Sequence, residues 1–508
     1  MRNSCAEHTE TPLTVTPPAT YGGTDVQFGD ALIARSLAAH VSWLLANHKG
    51  EFAVLGLGLS GESVAKLLHA TGVAVYASDV GKTKEVKAAA DRLSALGISA
   101  ETGDHDIARL KRALCVVVSP GIPPNVPPLK AARKASVPIV SEVEIALQTR
   151  RVPYIGVTGT NGKTTTTSLI AHLLRALDKD VEEVGNIGTP VSEVALRESP
   201  PQWMAMELSS FQLHDTPSVK PTVGVLTNLT PDHLDRYNNS TAEYYADKAL
   251  LFANADATSQ WVVPGEGIEA LAMTRELPGH TARFSTQRTD VEGYLDRGRG
   301  QLVLFGAALA SRADFPLTGD HNVANMLAAL LAVMSAHPSH ATPSARVRLA
   351  AALRTVTALP HRIEPVAEID HVLWLNDSKA TNVSSSLVAI SGMTRPTVML
   401  LGGRHKGEPY TALAEPLLQH GRAVVAYGES AQRIYDDLQP LLKKKVPIYL
   451  MANDSFKKVM KEARAIAQPG DAVLLSPACS SFDMFANYKE RGYKFSELAR
   501  RQEAKDEA

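Results

Sequence analysis

An apolar segment, Tyr154 to Val157, runs into the glycine- and threonine-rich stretch Thr158-Gly-Thr-Asn-Gly-Lys-Thr-Thr165 and then into a helical sequence, Ser168 to Ala176. A strand, a glycine loop and a helix in that order open a parallel α/β unit, because the carboxyl end of the strand and the amino end of the helix meet at the loop. Backbone N–H groups of such a loop and of the first helical turn lack partners of their own and gather phosphate oxygens. Lys163 adds a mobile positive charge for the β- and γ-phosphates, and the Thr164 hydroxyl can ligate Mg²⁺. The general phosphate-loop pattern has a glycine five residues before Gly162, whereas this chain has Val157 there. On local grounds a plain Gly/Thr turn at a strand end stays open.

The same alternation recurs on both sides of this loop. Upstream, Phe52 to Leu55 reads as a strand, Gly56 to Gly61 as a tight turn, Glu62 to Ala70 as a helix, Val73 to Tyr76 as a strand ending near Asp79, and Leu114 to Val118 as a strand that breaks at Ser119-Pro-Gly-Ile-Pro-Pro124. Downstream, apolar runs at Trp203 to Met206, Val223 to Leu226, Gln260 to Val263, Val372 to Leu375, Thr397 to Leu401, Ala423 to Tyr427 and Ala472 to Leu475 continue it. A chain of 508 residues exceeds what one core supports. The expected architecture is α/β, three domains in series after an extension at 1–48: a Rossmann-like domain at 49–150, a P-loop ATPase-like domain at 151–357, and a second Rossmann-like domain at 358–508. Within the extension, residues 1–28 read as a Pro/Thr-rich tail and Ala31 to Asn47 as a short amphipathic helix.

Composition removes several classes of function. A net charge of −1 gives no bulk electrostatic case for nucleic acid or anionic membrane. The three cysteines, Cys5, Cys115 and Cys479, show no CxxC spacing and no disulfide framework. No apolar run is long enough for a transmembrane helix, and the N-terminus lacks the order of a signal peptide. A cytoplasmic monomer acting on small molecules, without membrane insertion, is expected.

Further blocks accompany the phosphate loop in a fixed order: Gly185-Asn-Ile-Gly188, Met206-Glu-Leu-Ser-Ser-Phe-Gln212, Asn228-Leu-Thr-Pro-Asp-His-Leu-Asp235, Lys248, Gly319-Asp-His-Asn-Val-Ala-Asn325, Leu359-Pro-His-Arg362, Asn376-Asp-Ser-Lys-Ala-Thr381 and Ser476-Pro-Ala-Cys-Ser-Ser481. Together they resemble the Mur ligase family and its folylpolyglutamate synthase relatives. Within the family the turn Gly56-Leu-Gly-Leu-Ser-Gly61, the loop Ser119-Pro-Gly-Ile122 and the block Cys479-Ser-Ser-Phe-Asp483 are similar to the glutamate-adding branch. The resemblance implies an ATP-dependent amide-bond-forming ligase of peptidoglycan precursor synthesis. It would phosphorylate the carboxylate of UDP-N-acetylmuramoyl-L-alanine and then let the amine of glutamate displace phosphate. An L-glutamate-adding variant or another Mur-type amino-acid ligase remains open, as does a non-catalytic nucleotide-binding regulator on the same fold.

The resemblance also assigns roles. ATP would contact Gly159, Thr160, Asn161, Gly162, Lys163, Thr164, Thr165, Asn322, Asn325, Arg362 and Asp377. Lys163, Glu207, His233, Lys248 and Lys379 would serve catalysis. Two Mg²⁺ ions would be held through Thr164, Glu207, His233 and Lys248, the last carrying a CO₂-derived carbamate that makes it an anion. Read without the family, Glu207 is equally a helix cap, His233 a turn residue, and Lys248 a solvated lysine on a helix from Tyr244 to Phe252.

The turn Gly56-x-Gly-x-x-Gly61 followed by Asp79 formally matches a dinucleotide fingerprint, which alone would suggest NAD. The resemblance instead gives Leu59, Ser60, Asp79, Gly121, Asn186 and Gln212 to the UDP-bearing substrate. It gives Thr381, Lys406, Ser481, Phe482 and Tyr488 to glutamate, a dicarboxylate that needs a fixed cation and several donors. Two positions depart from the family pattern: Gly81 stands where an arginine is usual, and Tyr488 where phenylalanine is frequent. A hinge near Ala358 to Arg362 is expected, with the third domain closing on bound nucleotide.

Overall fold

A computed structural model describes residues 29–47, 50–317 and 319–501. The expected tail at 1–28 lies outside these residues, as does Cys5. The helix expected from Ala31 spans Gly29–Asn47. By contact density the chain divides into two compact units, of which the first comprises the described residues up to Arg151 together with Pro190–Glu198 and Asp215–Ser218, and the second the remainder.

In the first unit five parallel strands, Glu51–Leu55 (β1), Ala74–Asp79 (β2), Ser99–Thr102 (β3), Cys115–Val118 (β4) and Ile139–Ser141 (β5), lie in the order β3-β2-β1-β4-β5. The central β1 is apolar because both its faces are covered, with Phe52 through Leu55 fully buried. The chain leaves β1 toward β2 and later returns to its other side with β4, so a crevice opens at the carboxyl ends between β1 and β4. The helix Leu59–Ala70 starts there, and a Cβ on Gly61 would stand 1.7 Å from the Gly56 carbonyl oxygen. Only glycine lets this helix approach its strand so closely.

The segments 190–198 and 215–218 are fastened to this unit by buried polar groups. Glu142 accepts the N–H groups of Val191 and Ser192, both at 3.1 Å, at the start of the helix Val191–Leu196. Glu144 accepts both the N–H (2.9 Å) and the hydroxyl (2.6 Å) of Ser218. Ser141 donates its N–H to Asp215 and shares a hydroxyl contact with Thr216.

The second unit holds two sheets. The first contains Tyr154–Thr158 (β6), Val181–Gly185 (β7), Trp203–Glu207 (β8), Val223–Leu226 (β9), Gln260–Pro264 (β10), His280–Ser285 (β11), Gly293–Asp296 (β12), Gln301–Leu304 (β13) and Ala307–Ser311 (β14), in the order β14-β13-β12-β11-β10-β9-β6-β8-β7. It is parallel from β7 to β12, and β13 and β14 close it as antiparallel edge strands. The helix Asp320–Ala336 is apolar on nearly all sides, buries Val323 and Met326 through Val333 completely, and packs against the helix Lys163–Ala176.

The second sheet contains Glu364–Ile369 (β15), Val372–Asn376 (β16), Thr397–Gly402 (β17), Gly421–Tyr427 (β18), Ile448–Met451 (β19) and Ala472–Leu475 (β20), in the order β15-β16-β20-β17-β18-β19. All neighbours are parallel except β15 and β16. Apolar clusters cover both faces, one around Leu401, Ile434 and Leu474, the other around Trp374, Val459 and Phe495. Among the described residues no helix is long and apolar enough to cross a membrane.

Candidate functional site

The phosphate loop leaves β6 and enters the helix Lys163–Ala176 at Gly162, whose φ of +81° is left-handed and whose position has no side-chain cap. The first-turn N–H groups are therefore left for a ligand. The loop's floor is a second loop: Thr160 donates its N–H to the Asn228 carbonyl (3.0 Å), Asn161 its N–H to Asn228 Oδ1 (2.9 Å), and Thr227 and Asn228 donate side-chain bonds to the Asn161 carbonyl. Gly159 passes so near that a Cβ would sit 2.0 Å from Thr227 Oγ1. Thr165 is buried behind the loop. Asn325 is also buried, and its Oδ1 accepts the Thr166 hydroxyl at 3.3 Å, while Asn322 lies half-buried one turn earlier on the same helix.

β8 lies beside β6, so Glu207 at its end reaches the loop. Its Oε2 accepts the Thr164 hydroxyl at 2.7 Å, and its Oε1 accepts Asn186 Nδ2 at 2.7 Å. Lys163 Nζ turns back to the carbonyls of Gly159 (3.0 Å) and Thr160 (2.6 Å). Lys248, on the helix Thr241–Ala249, is fully buried and donates to the same Gly159 carbonyl at 2.7 Å, with the Tyr244 ring 4.6 Å from its nitrogen. Two ammonium groups on one carbonyl repel each other. Burial, with the Lys163 charge adding, pushes the Lys248 amine well below the ordinary lysine range. Lys163 is lowered for the same first reason, burial.

His233 is held with φ +54° in the loop after β9, its ring edge-on to Phe211 and its Nε2 3.3 Å from Lys406 Nζ. Burial and then the Lys406 charge push it down to about 3. Its neighbour Asp232 is buried and accepts Lys406 Nζ (3.3 Å) and Asn382 Nδ2 (2.9 Å). Burial alone would raise the Asp232 carboxyl, but Lys406, His233 and Asn382 outweigh it and hold it below the ordinary range. Gln212 is buried and accepts the Ser209 N–H and hydroxyl.

The other sheet of this unit brings a second set of cations. Arg362 stands between His361 and Ile363, whose φ values are +64° and +47°; a β-branched residue there is a strained conformation of the kind found at functional turns. Asp377 is buried and accepts the Ser476 hydroxyl (2.8 Å) and the Ile363 N–H (3.3 Å), and burial pushes its carboxyl up to about 7. Lys379 Nζ lies 4.1 Å from the centre of the Tyr488 ring and is lowered, chiefly by burial, to about 8. Lys379 and Lys406 both lower Lys163, and Glu207 opposes the lowering of Lys163, Lys379 and Arg362, so these groups share one electrostatic field. Thr381 accepts Lys406 Nζ at 3.4 Å, Ser481 is buried, and Phe482 is 64% exposed.

The turn Asn382 to Ser385, at the start of the helix Val383–Ser391, reaches the phosphate loop directly: Asn161 Nδ2 donates to Ser384 Oγ (2.7 Å), and Asn161 Oδ1 accepts Ser385 Oγ (2.7 Å). Sequence reasoning assigned no role to Asn382, Ser384 or Ser385. It also passed over Asp232 and Asn228, although both stand inside the block around His233, where a buried acid beside a histidine was the available signal.

In the first unit, Leu59 is exposed at the first turn of its helix with Ser60 beside it. Asp79 spans the glycine turn, accepting the Leu57 N–H and the Gly81 N–H, each at 2.7 Å. Gly121 is exposed in the turn closed by the Ile122 N–H to the Ser119 carbonyl. These four belong to the first unit, and the remaining predicted residues to the second.

Residues 50–141 match the MurD-like N-terminal domain of Mur ligases, residues 157–333 the Mur ligase middle domain, and residues 361–479 the Mur ligase glutamate ligase domain. The chain is 35% identical over 460 residues to the UDP-N-acetylmuramoylalanine–D-glutamate ligase of Syntrophotalea carbinolica, covering 89% of this chain and 98% of that one. It is 35% identical over 457 residues to the enzyme of the same name from Nitrosococcus oceani, covering 88% and 96%. In fold it is similar to the UDP-N-acetylmuramate-alanine ligase MurC of Thermotoga maritima, with a TM-score of 0.55 at 19% identity over 89% of this chain and 99% of that one. It is also similar in fold to the folylpolyglutamate synthase of Mycobacterium tuberculosis, with a TM-score of 0.53 at 15% identity over 70% and 92%.

Proposed function

The chain belongs to the Mur ligase family, and on that premise we propose that it joins D-glutamate to UDP-N-acetylmuramoyl-L-alanine, with conversion of ATP to ADP and phosphate, in peptidoglycan precursor synthesis. The observation that carries the reading is the meeting of Glu207, Thr164 and Lys163 at an uncapped helix start, in one field with Lys379 and Lys406. Relatives at 35% identity over nearly their whole length carry the name of that reaction.

Amide formation from a free carboxylate is uphill, so the carboxylate must first take the γ-phosphoryl group. The first-turn N–H groups and Lys163 bind the triphosphate, and Lys379 and Arg362 face the charge that spreads onto its oxygens in transfer. We assign Gly159 to Thr165, Asn322, Asn325, Arg362 and Asp377 to ATP. The three domains divide the work as 49–150 for the uridine diphosphate end, 151–357 for ATP, and 358–508 for glutamate and the phosphates. Leu59, Ser60, Asp79, Gly121, Asn186 and Gln212 take the UDP-substrate; Thr381, Lys406, Ser481, Phe482 and Tyr488 take glutamate.

Thr164 and Glu207 present hard oxygen donors 2.7 Å apart, which suits Mg²⁺ arriving with the triphosphate. No described cluster of three His, Cys, Asp or Glu side chains would hold a metal by itself, so phosphate oxygens would complete that shell. Magnesium bound there would neutralise charge on the transferring phosphoryl group. The lowering of the Lys248 amine favours its neutral form, which suits capture of CO₂: the nitrogen lone pair would bond to the carbon, one N–H proton would leave, and the product would be a carbamate anion. With the neutral His233 imidazole it would supply donors for a second ion. An unmodified Lys248 in active enzyme, seen by ¹³C NMR in labelled bicarbonate, sinks that assignment.

The deciding assay is ADP release from ATP and UDP-N-acetylmuramoyl-L-alanine, run separately with D-glutamate, L-glutamate, lysine and diaminopimelate. Turnover with D-glutamate alone is expected. Equal or better turnover with another amino acid overturns the assignment.

A further inference from the structure

Among the described residues the largest cation with no exposed surface is Arg491, on the helix Tyr488–Arg500. A buried guanidinium is costly unless all its N–H groups find acceptors, and it is usually neutralised by a carboxylate. Here no carboxylate lies within ion-pair distance among the described residues; the acceptors are main-chain carbonyls and one hydroxyl. Nε donates to Ser378 Oγ (3.0 Å), and Nη2 to the carbonyls of Ser378 (2.9 Å) and Cys479 (3.2 Å). Nη1 reaches the carbonyls of Cys479 (3.2 Å), Ser480 (3.4 Å) and Gly402 (3.5 Å).

Those acceptors belong to three separate loops. Ser378 precedes Lys379 and Thr381, Ser480 precedes Ser481 and Phe482, and Gly402 opens the loop that carries Lys406. The last two loops are joined in turn, since Ser480 and Arg404 exchange N–H bonds with each other's carbonyls (2.9 and 3.0 Å) and Ser480 Oγ donates to the Arg404 carbonyl. Ser378 Oγ donates a hydrogen bond to the Tyr488 carbonyl at 2.8 Å, so the helix start bearing Tyr488 is tied in as well. A planar fork with five N–H groups can hold three strand-end loops at once; a lysine has one nitrogen and cannot.

We propose that Arg491 is the positioning residue of the amino-acid half-site: its guanidinium sets the register of the loops that present Lys406, Thr381, Ser481 and Phe482, and leaves behind them, for an incoming dicarboxylate, a positive charge with no ion-paired carboxylate. The inference rests on the proposed ligase reaction. Arg491 touches no reacting atom. Its effect reaches the reaction chiefly through glutamate capture: among the residues given to the nucleotide only Asp377 and Lys379 flank a carbonyl that it holds, whereas the nucleotide loop keeps its own floor at Thr227 and Asn228.

The test uses the full-length protein in the ADP-release assay. Arg491→Lys is expected to raise the glutamate KM by about tenfold or more, equivalent to losing one or two net hydrogen bonds, with the ATP KM changing less than about threefold. Ser378→Ala, which removes one acceptor and leaves the charge, is expected to shift the glutamate KM in the same direction by a smaller factor. In Arg491→Ala, added guanidinium chloride at sub-denaturing concentration is expected to restore part of the glutamate KM. A folded Arg491→Lys with an unchanged glutamate KM overturns the proposal, as does one in which both KM values rise equally. If Arg491→Lys fails to fold, Ser378→Ala decides by the same criterion. Wild-type protein that releases no ADP in response to glutamate refutes instead the proposed reaction, so the two failures are separable.

Discussion

Replacing Gly162 by alanine tests whether the phosphate loop is held in the shape described. The residue has φ +81°, where an L side chain costs about 1–2 kcal/mol. Its Cβ would stand 2.3 Å from Asn325 Oδ1, a separation that real Cβ atoms do not show, so the Asn325 side chain must turn away and give up the Thr166 hydroxyl, a further loss of about 1 kcal/mol. The sum, roughly 2–3 kcal/mol, appears in one of two places. If the loop keeps its shape, thermal stability falls by that amount. If it relaxes, the free protein is spared and the same energy is taken from nucleotide affinity, weakening ADP binding roughly 30- to 150-fold. Calorimetric ADP titration and thermal unfolding without nucleotide, on the same preparations, measure both. Gly470→Ala is the control: φ is +95° and nothing lies within 4 Å of the added Cβ, so it carries the backbone cost alone and leaves ADP binding untouched. A Gly162→Ala protein as stable as the control that also binds ADP like wild type would refute the reasoning.

Glu207→Gln keeps the local hydrogen bonds, because the new oxygen can face Asn186 while the Thr164 hydroxyl reverses to accept the new amide; stability is expected within about 1 kcal/mol of wild type and turnover to fall at least about 100-fold, as read by ADP release and unfolding. Lys379, lowered to about 8 in the nucleotide-free protein, loses its charge as pH rises through that value, so ADP affinity is expected to decline between about pH 7 and 9 and Lys379→Arg to flatten the decline in titrations across that range. His233 is pushed down to about 3, which makes it neutral at every working pH: its imidazole resonances in nucleotide-free protein should not titrate between about pH 5 and 8 by NMR, and a transition near 6.5 would show that the ring is neither buried nor beside the Lys406 charge as described. The linked sign is that the unfolded chain takes up this proton first, so stability from His233 rises with pH between about 3 and 6.5.

Strands with both faces covered were legible because they are unbroken apolar runs: Val223–Leu226 and Ala472–Leu475 coincide with their sequence reading, and Phe52 to Leu55 gains only Glu51. Val181–Gly185 carries Glu182 and Glu183 at half-buried positions of one edge strand, and Ala307–Ser311 is the other edge with exposed residues, so neither presents the apolar signal of a central strand; Gln301–Leu304 is apolar and buried but only four residues long. Helix starts were read late at the glycine turns, because Leu59 and Lys163 already lie in helix where the glycine and threonine content suggested loop. At the site, residues inside strong blocks were found and their partners were not. Asn382 was invisible because its role, holding Asp232 and the Asn161 loop, depends on a meeting of segments far apart in the chain. Lys248 looked solvated for the same reason: its burial is produced by the Gly159 turn and the Tyr244 ring.

The carboxylates of Glu142 and Glu144 close the first unit on segments that lie as far along the chain as Ser218. During vectorial synthesis, therefore, the N-terminal sheet emerges from the ribosome well before the pieces that complete it, and the strand bearing the phosphate loop is made in between. A cut after Arg151 would yield two acids stripped of their acceptor-seeking partners and facing water. The unit's independence is spatial, whereas its assembly belongs to the longer nascent chain.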